Sequence, residues 1–244
     1  MSTPIILIPA RLGSTRLPNK PLADIHGSPM IVHVLRRARQ AALGPVVVAC
    51  AEPAIAEAIT ADGGTAILTD PDLPSGSDRI HAALQQFDPD KKYNIIINLQ
   101  GDLPTIDPAA LHALLSVLAQ PTYDIATLVA PITTEAERHA ESVVKVACAF
   151  SEHNPIATAL YFSRAVIPSG PGPLWHHIGV YAYRRAALDH FVASPPSPLE
   201  QREKLEQLRA LEHGLRIGAA RIAKPPFGVD TIDDLHRARE ELAP

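Results

Sequence analysis

Several features are missing from this sequence of 244 residues, and each absence narrows the class of protein. No apolar run approaches about 18 residues, so a membrane-spanning helix is not expected. No basic leader with a longer apolar region precedes the first strand, so we expect no secretory signal and a cytoplasmic location. The net charge is −4 and there is no basic tract, which argues against a nucleic-acid partner. A phosphate that binds here would therefore belong to a small molecule.

Cysteine is also scarce. The two cysteines, Cys50 and Cys148, lie far apart in apolar sequence, which favours reduced core thiols over a disulfide scaffold or a zinc site. The sequence contains no HExxH or CxxC pattern and no Ser-His-Asp order, which argues against metalloproteases and hydrolases. What it does contain is 46% hydrophobic residues in a chain long enough for one large α/β domain.

The first candidate site follows an apolar run near the start of the chain. Residues 5–8 carry no charge, which predicts a short strand buried on both faces of a parallel sheet and ended by Pro9. The loop that follows mixes small residues with cations, so backbone N–H groups and positive charge are available together for an anion. These residues are Gly13, Ser14, Thr15, Arg11, Arg16 and Lys20. Composition alone leaves a phosphate-binding loop and an ordinary solvated turn equally open.

Strands and helices alternate over the first hundred residues. The hydrophobic patterns predict strands at 5–8, 46–50, 65–69 and 94–99, and helices at 30–42, 54–61, 80–87 and 109–119. This alternation indicates a Rossmann-like, doubly wound, mostly parallel sheet with right-handed crossovers. Such sheets bind ligands beyond the carboxyl ends of their strands. Three polar loops fall at those ends: the basic loop, Ser75–Arg79 and Gln100–Asp102.

The pattern changes beyond residue 120. Extended runs at 125–131, 143–150, 157–163 and 178–183 predict a smaller mixed β extension that covers the site. A helix is predicted over 199–213, a strand over 217–222 and a final helix over 232–242.

Two acidic residues are candidate metal ligands. Asp102 follows an apolar strand and Gly101, where a small residue lets the carboxylate approach a ligand. Magnesium usually takes one or two protein carboxylates and fills its other positions with water and phosphate oxygens, so a second acid is expected. Asp230 is the candidate, although on sequence alone it is better explained as the N-cap of the last helix.

Two further sets of polar residues are weaker candidates for a binding site. The segment Ser75–Arg79 has small residues that permit backbone contacts and an arginine suited to a base edge or a phosphate. His177, Tyr181 and Arg164 lie along apolar strands, as expected where a hydroxylated, anionic ligand meets a pocket wall. Each of these residues by itself is more often structural.

Nine motifs occur in order along nearly the whole chain. They are IPARLGSTRLPNKPL at 8–22, PMIVHVLRRA at 29–38, SGSDR at 75–79, NLQGDLP at 98–104, VKVA at 144–147, ALYFSRAVIP at 159–168, HIGVYAYR at 177–184, SPLEQREKLEQLR at 197–209 and GVDT at 228–231. Together they resemble the 3-deoxy-manno-octulosonate cytidylyltransferases, also called CMP-Kdo synthetases. That family joins CTP to the eight-carbon sugar acid Kdo, giving CMP-Kdo and pyrophosphate, with Mg²⁺, in the supply of Kdo to lipopolysaccharide.

The resemblance also implies a role for each matched residue. The implied catalytic residues are Lys20, Arg11, Arg16 and Asp102. The implied CTP-binding residues are Pro9, Ala10, Arg11, Lys20, Ser75, Gly76, Ser77, Arg79, Gln100 and Asp102. The implied sugar-binding residues are Gln100, Arg164, His177, Tyr181, Glu206 and Gln207. Asp102 and Asp230 would hold the magnesium ion.

The implied organisation is a homodimer of single nucleotidyltransferase domains. Residues 1–120 and 185–244 would form the nucleotide-binding core, and residues from about 121 to 184 the sugar-binding and dimerisation extension. Two positions differ from the residues that are usual in this family. Leu103 stands where many relatives have an acidic residue. Asn19 stands where glycine is commoner, and asparagine is the residue other than glycine that best tolerates a positive φ. Two alternatives stay open, a cytidylyltransferase for sialic acid or amino-Kdo and a non-catalytic nucleotide-binding module.

Overall fold

The first apolar run forms the centre of a parallel sheet. The computed structural model describes residues 3–13 and 16–243, so Ser14 and Thr15 of the basic loop lie outside the described residues. By their contacts the residues form two units, one up to Leu111 together with Pro226 onward, and the other from His112 to Pro225. The predicted extension at 121–184 lies in the second unit, and so does the segment 185–225, which the sequence analysis groups with the core.

The first unit contains a parallel α/β layer. Its strands are β1 (Pro4–Ala10), β2 (Asp24–Ile25), β3 (Ser28–Pro29), β4 (Val46–Cys50), β5 (Thr65–Leu68) and β6 (Ile95–Asn98). Its helices are α1 (Met30–Gln40), α2 (Pro53–Ala61), α3 (Gly76–Phe87) and, near the end of the chain, α9 (Ile232–Glu241). Helix α4 (Pro108–Leu118) begins in the first unit and continues into the second from His112. A short 3-10 turn spans Lys20–Leu22.

The strand order reverses at one position in this sheet, which is called its topological switch point. Strands β5, β4, β1 and β6 are neighbours in that order and all pair in parallel. The chain therefore moves outward from β1 through β4 to β5 and then returns to β6 on the other side of β1. Right-handed crossovers place α1 and α2 on one face and α3 on the other. The predicted doubly wound sheet is confirmed, and its direction reverses between β1 and β6, where such sheets bind ligands.

Burial explains why these segments form. The side chains of Ile5, Leu7, Val48 and Ile96 are fully buried, as a two-sided parallel sheet requires. Helix α1 turns its apolar stripe inward, as the spacing of its residues predicts.

The predicted end of β1 at Pro9 is wrong, because the strand continues to Ala10. The N–H of Ile6 donates to the oxygen of Pro45 on the β4 side, so the even-numbered residues of β1 point their N–H groups towards β4. The missing N–H of Pro9 therefore lies on the β6 side, beyond the last register pair, Leu7 with Asn98. No ladder hydrogen bond is lost there, so the proline is tolerated.

The second unit contains a mixed sheet. Its strands are β7 (Ile125–Pro131), β8 (Lys145–Ala147), β9 (Ile156–Thr158), β10 (Tyr161–Ser163), β11 (Trp175–Arg184) and β12 (Ile217–Arg221), and its helices are α5 (Glu135–His139), α6 (Arg185–Ala193), α7 (Pro198–Glu203) and α8 (Gln207–Glu212). Strand β7 pairs antiparallel with β11 and parallel with β12, and β9 pairs antiparallel with β12. The mixed β character predicted for this part of the chain is confirmed.

Two element predictions are corrected in the second unit, and two of its helices were missed. The strand predicted over 157–163 is two strands, because β9 pairs with β12 whereas β10 pairs with β8. The helix predicted over 199–213 is broken between α7 and α8 at Lys204, whose φ of 56° is left-handed. Helices α5 and α6 were not predicted.

Candidate active site

A cleft of about 510 Å³ opens at the carboxyl ends of β1 and β6 in the first unit. Its walls come from the loop after β1, the start of α3, the loop after β6 and the segment before α9. The lining residues are Pro9, Ala10, Arg11, Gly13, Arg16, Lys20, Pro21, Leu73, Pro74, Ser75, Gly76, Arg79, Gln100, Gly101, Asp102 and Asp230. The three loops that the sequence analysis selects therefore meet in one cleft, together with Asp230.

Close packing at Gly101 makes this meeting possible. A Cβ atom at that position would lie 2.8 Å from the backbone oxygen of Pro9 and 3.1 Å from Cδ1 of Ile31. The loop after β6 can pass β1 only because residue 101 has no side chain. Asp102 is thereby placed at the cleft.

Lys20 joins the two candidate metal ligands. Its Nζ atom donates to Oδ2 of Asp102 at 2.8 Å and to Oδ1 of Asp230 at 2.9 Å. Nη2 of Arg16 lies 3.1 Å from the other oxygen of Asp230. Residues far apart in sequence thus form one compact group of two cations and two carboxylates.

Local backbone geometry places Lys20 in this group. Asn19 has φ 54° and ψ 30°, and the 3-10 turn begins directly after it. The expectation that asparagine tolerates positive φ here is confirmed. Burial lowers the pKa of Lys20, but the adjoining carboxylates of Asp102 and Asp230 outweigh that effect, so the pKa is raised and the ammonium stays charged.

The interpretation of Asp230 as a helix cap is wrong. Thr231 is the N-cap of α9, its hydroxyl accepts from the N–H of Asp234, and the Asp234 carboxylate accepts from the N–H of Thr231. This capping box satisfies the helix terminus without the carboxylate of Asp230. That carboxylate is therefore available to Lys20 and Arg16.

The segment Ser75–Arg79 is the start of α3 rather than a loop. Ser75 caps the helix by accepting from the N–H of Asp78. Gly76 packs close to Pro9, since a Cβ atom there would lie 3.3 Å from Cγ of that proline. Ser77 is buried.

Arg79 lines the cleft, but its guanidinium donates hydrogen bonds to other residues of the protein. Nη1 donates to Oγ1 of Thr69 at 2.7 Å and to the oxygen of Asp70 at 3.0 Å, and Nη2 donates to the oxygen of Pro71 at 3.2 Å. Burial lowers the pKa of Arg79. These contacts hold the turn at 69–71 that leads into Leu73 and Pro74.

Sequence reasoning missed several parts of this cleft. Pro21, Leu73 and Pro74 line it without carrying chemistry that would single them out, and adjacency to the motifs was their only signal. Glu52 was also missed, although its carboxylate accepts from the N–H of Leu12 at 3.1 Å and so tethers the basic loop. No pattern connects Glu52 with that loop, because β4 and β1 become neighbours only in the sheet.

The donor set of the cleft fits a magnesium ion. The described residues contain no group of three or more His, Cys, Asp or Glu side chains able to enclose a metal ion. The cleft supplies two carboxylates, and their convergence on one ammonium shows that both can reach one cation. Two hard oxygen donors, with the remaining positions open to water and phosphate, match the preference of Mg²⁺.

A second group of predicted residues meets in the second unit. Tyr181, Glu206 and Gln207 line a small cavity of about 10 Å³, which is room for roughly one water molecule. The Gln207 side chain is buried, and its Nε2 has no hydrogen-bond partner among the described residues. Burial raises the pKa of Tyr181, so its phenol stays protonated and can donate.

His177 lies beside this cavity as a neutral side chain. Its ring centroid is 5.5 Å from that of Tyr181, and burial lowers its pKa to about 3. Oγ1 of Thr127 lies 3.1 Å from Nε2 of His177 and donates its single proton to a strand carbonyl, that of Ile178 or Val180. Nε2 of His177 is thus held by a hydrogen bond within the sheet.

Arg164 is not among the residues that line this cavity. Its guanidinium donates to the backbone oxygens of Glu203, Glu141 and Lys204, at 3.1, 2.9 and 3.4 Å. These bonds attach the residue after β10 to the end of α7 and to the segment after α5. Gln100, also predicted as a sugar contact, lines the cleft of the first unit.

Both thiols lie outside these two sites. Burial raises the pKa of Cys50 to about 11 and that of Cys148 to about 12, so both stay protonated at neutral pH. Both are free, as the sequence analysis expects. Among residues 3–13 and 16–243, no helix is long and apolar enough to cross a membrane.

A parallel sheet whose direction reverses beneath a cleft of cations and paired carboxylates defines an α/β nucleotide-binding protein. Comparison with known proteins makes this class more specific. The family model described as cytidylyltransferase matches residues 5–217.

Full-length relatives narrow the family further. The chain is 57% identical over 242 residues to the 3-deoxy-manno-octulosonate cytidylyltransferase of Rhodospirillum rubrum, covering 99% of this chain and 96% of the relative. It is 58% identical over 247 residues to the protein of the same name from a Methylobacterium species, covering 100% and 98%. A solved structure of CMP:2-keto-3-deoxy-manno-octonic acid synthetase complexed with CTP superposes with a TM-score of 0.91 at 41% identity and covers 99% of both chains. The chain belongs to the cytidylyltransferase family and, within it, to the 3-deoxy-manno-octulosonate cytidylyltransferases.

Proposed function

We propose that this chain transfers CMP from CTP to the anomeric hydroxyl of Kdo, giving CMP-Kdo and pyrophosphate for lipopolysaccharide biosynthesis. The observation that carries the proposal is the convergence of Lys20, Asp102 and Asp230 in a cleft at the switch point of the sheet. The cleft does not specify the sugar by itself. Identities of 57% and 58% to enzymes named for this sugar support the choice of Kdo.

The cations of the basic loop bind the triphosphate. Attack on the α-phosphorus moves negative charge onto the departing pyrophosphate, and Lys20, Arg11 and Arg16 stabilise that charge. The side chain of Arg16 is 66% exposed, so it can turn from Asp230 to a phosphate at little cost. The protein forms no covalent intermediate here, and its contribution is positioning and charge neutralisation.

The nucleoside lies along the start of α3. Gly76 and the backbone at Pro9 and Ala10 allow close approach, and Ser75 and Ser77 belong to the same helix turn. Arg79 keeps the adjoining 69–71 turn in place. Gln100 lines the same cleft, where it contacts the nucleotide, the sugar or both.

Asp102 and Asp230 are proposed to hold Mg²⁺, and nucleotidyltransferases of this kind commonly use a divalent metal ion. When bound, the ion neutralises charge on the triphosphate and lowers the pKa of the attacking hydroxyl. Leu103 is buried and leaves no third carboxylate next to Asp102. Among the described residues, the proposed metal ligands are therefore these two carboxylates.

The sugar contacts Tyr181, Glu206 and Gln207 at the mouth of the small cavity, because the cavity itself is too small for an eight-carbon acid. Neutral His177 takes part as a hydrogen-bonding group rather than as a cation. Arg164 has five N–H donors, and its three bonds to carbonyls leave two for the sugar carboxylate.

We also propose that the enzyme is a cytoplasmic homodimer with Mg²⁺ as its cofactor. The residues from about 121 to 184 would contribute the sugar site and the dimer interface. Sedimentation velocity of the purified chain tests the dimer directly, and a sedimenting species of monomer mass would contradict it.

One assay tests the reaction and its sugar. Pyrophosphate release is measured with CTP and each of Kdo, a sialic acid and amino-Kdo, with and without Mg²⁺. We expect release with Kdo that depends on the metal and a kcat/KM for Kdo well above that for the other acids. Preference for another acid would assign a different cytidylyltransferase activity, and CTP binding without turnover on any acid would indicate a non-catalytic nucleotide-binding protein.

A further inference from the structure

A largely buried ion pair joins α7 to α8 beside the small cavity. Nε and Nη2 of Arg209 donate to the two oxygens of Glu200 at 2.8 and 2.5 Å. The side chains are 11% and 13% exposed. This two-point contact fixes the plane of the guanidinium, which a single hydrogen bond would not do.

The same guanidinium reaches two residues that line the cavity. Its Nη2 lies 3.8 Å from Oε1 of Glu206, and its central carbon lies 4.9 Å from the centre of the Phe191 ring. Arg209 itself is not among the residues that line the cavity. It therefore approaches the cavity from behind Glu206 and Phe191.

The backbone alone does not fix the position of Glu206. Lys204 interrupts the helix with a left-handed conformation, and α8 begins only at Gln207. Glu206 stands at the N-cap of α8 without a capping hydrogen bond from its side chain. Arg209 lies three positions further along, in the first turn of α8, where its guanidinium faces the Glu206 carboxylate.

We propose that Arg209 is a positioning residue for sugar binding: held by Glu200, it orients the Glu206 carboxylate towards the sugar. The assignment rests on the proposed function, since Glu206 contacts the sugar only if that function is correct. Arg209 touches neither the sugar nor the reacting atoms. Its role is to hold the Glu206 carboxylate in one direction.

The first test is Arg209→Lys, which keeps the charge but cannot form the two-point contact. We expect the KM for Kdo to rise roughly tenfold, the effect of losing one charge-assisted contact, with the KM for CTP unchanged. The matched control is Arg184→Lys in the same unit. Arg184 also donates through Nε and Nη2, to the backbone oxygens of Tyr123, Leu118 and Gln120, and is not a cavity-lining residue. This control should lower the melting temperature and leave both KM values unchanged.

A charge swap separates positioning from folding. The double variant Glu200→Arg with Arg209→Glu restores the ion pair but places a carboxylate against Glu206. We expect the melting temperature to recover while the KM for Kdo stays raised, and recovery of both would overturn the assignment. If the swap does not fold, Arg209→Lys decides alone, and an unchanged KM for Kdo refutes the positioning role. Absence of turnover in the wild-type chain would instead refute the proposed function, and this assignment with it.

Discussion

One ion pair in the cleft of the first unit and one beside the cavity of the second unit lie in opposite settings. In the cleft, Arg16 and Asp230 are 66% and 48% exposed, so their pairing contributes little to stability and can be exchanged for a ligand. Beside the cavity, Arg209 and Glu200 are 11% and 13% exposed. Such a pair loses most of its hydration and must keep its geometry. The exposed pair can therefore exchange partners more easily than the buried pair.

The largest expected effect tests the cleft. Lys20→Ala should reduce kcat/KM by a factor corresponding to about 2.7–4 kcal/mol, by analogy with the loss of one preorganised donor at a developing charge. Steady-state pyrophosphate release from CTP and Kdo measures it. Lys92→Ala is the control, since Lys92 is 70% exposed outside the cleft and should have no effect. Wild-type turnover in Lys20→Ala would remove Lys20 from the phosphate site.

The second-largest expected effect concerns the paired carboxylates of Asp102 and Asp230. Asp102→Asn and Asp230→Asn should each reduce the maximal rate about 100-fold and raise the Mg²⁺ concentration needed for half-maximal rate. A magnesium titration at saturating CTP provides both numbers. Asp233→Asn, in the first turn of α9 and exposed, is the matched control. An unchanged titration for Asp230→Asn would assign that residue a purely electrostatic role beside Lys20 and Arg16.

The free energy of unfolding allows a direct comparison of the buried and the exposed ion pair. Glu200→Gln should lower the free energy of unfolding by about 2 kcal/mol, because it weakens the two charge-assisted hydrogen bonds that Glu200 accepts from Arg209. Arg16→Gln should lower it by less than about 1 kcal/mol, because that pair is exposed. Urea unfolding of both variants measures the contrast. Equal losses would show that the difference in exposure has no energetic consequence.

The pH dependence of stability tests the neutral His177. Its folded pKa of about 3 lies below the unfolded value of 6.5, so the unfolded chain binds more protons between these pH values. Its contribution is therefore present above pH 6.5 and is lost as the pH falls towards 3, with a slope of up to about 1.4 kcal/mol per pH unit. His177→Gln should show a flatter decline in urea unfolding between pH 6.5 and 4.5. The exposed His153→Gln should retain the wild-type slope, and a wild-type slope in His177→Gln would mean that this histidine is protonated in the folded protein.

The smallest effects concern one left-handed residue in each unit. Asn19 and Lys204 have φ angles of 54° and 56°. Lys204→Gly should stabilise the chain by about 1 kcal/mol, because lysine is strained in this conformation, whereas Asn19→Gly should be nearly neutral. Unfolding in urea measures both changes. A loss of stability in Lys204→Gly would show that its side chain makes contacts that outweigh the strain.

The sequence predicted the first unit better than the second. Uninterrupted apolar strands alternating with amphipathic helices are a local signal, so β4 was predicted with its observed bounds and α1 to within two residues. In the second unit, the short strands β9 and β10 form one apolar run and separate only because they pair with different neighbours. Pairing partners are chosen by the fold, so no local pattern could divide that run.

Local sequence patterns also predicted only part of the candidate cleft. The basic loop and Asp102 carry recognisable local signals, a group of cations and an acid after a glycine. Asp230 had an equally good local explanation as a helix cap, and only the capping box of Thr231 and Asp234 removes it. Arg79 resembled a ligand-reading arginine, but in the fold it binds the 69–71 turn.

The sequence by itself determined which strands are buried, which residues carry charge and, through its ordered motifs, the family. Those properties depend on side-chain chemistry and on spacing along the chain. The tertiary structure alone decided that Lys20 lies between Asp102 and Asp230, 82 and 210 positions further along the chain. Electrostatic attraction acts over a few ångströms through space, and residues so far apart in sequence reach that distance only when the sheet brings their loops together.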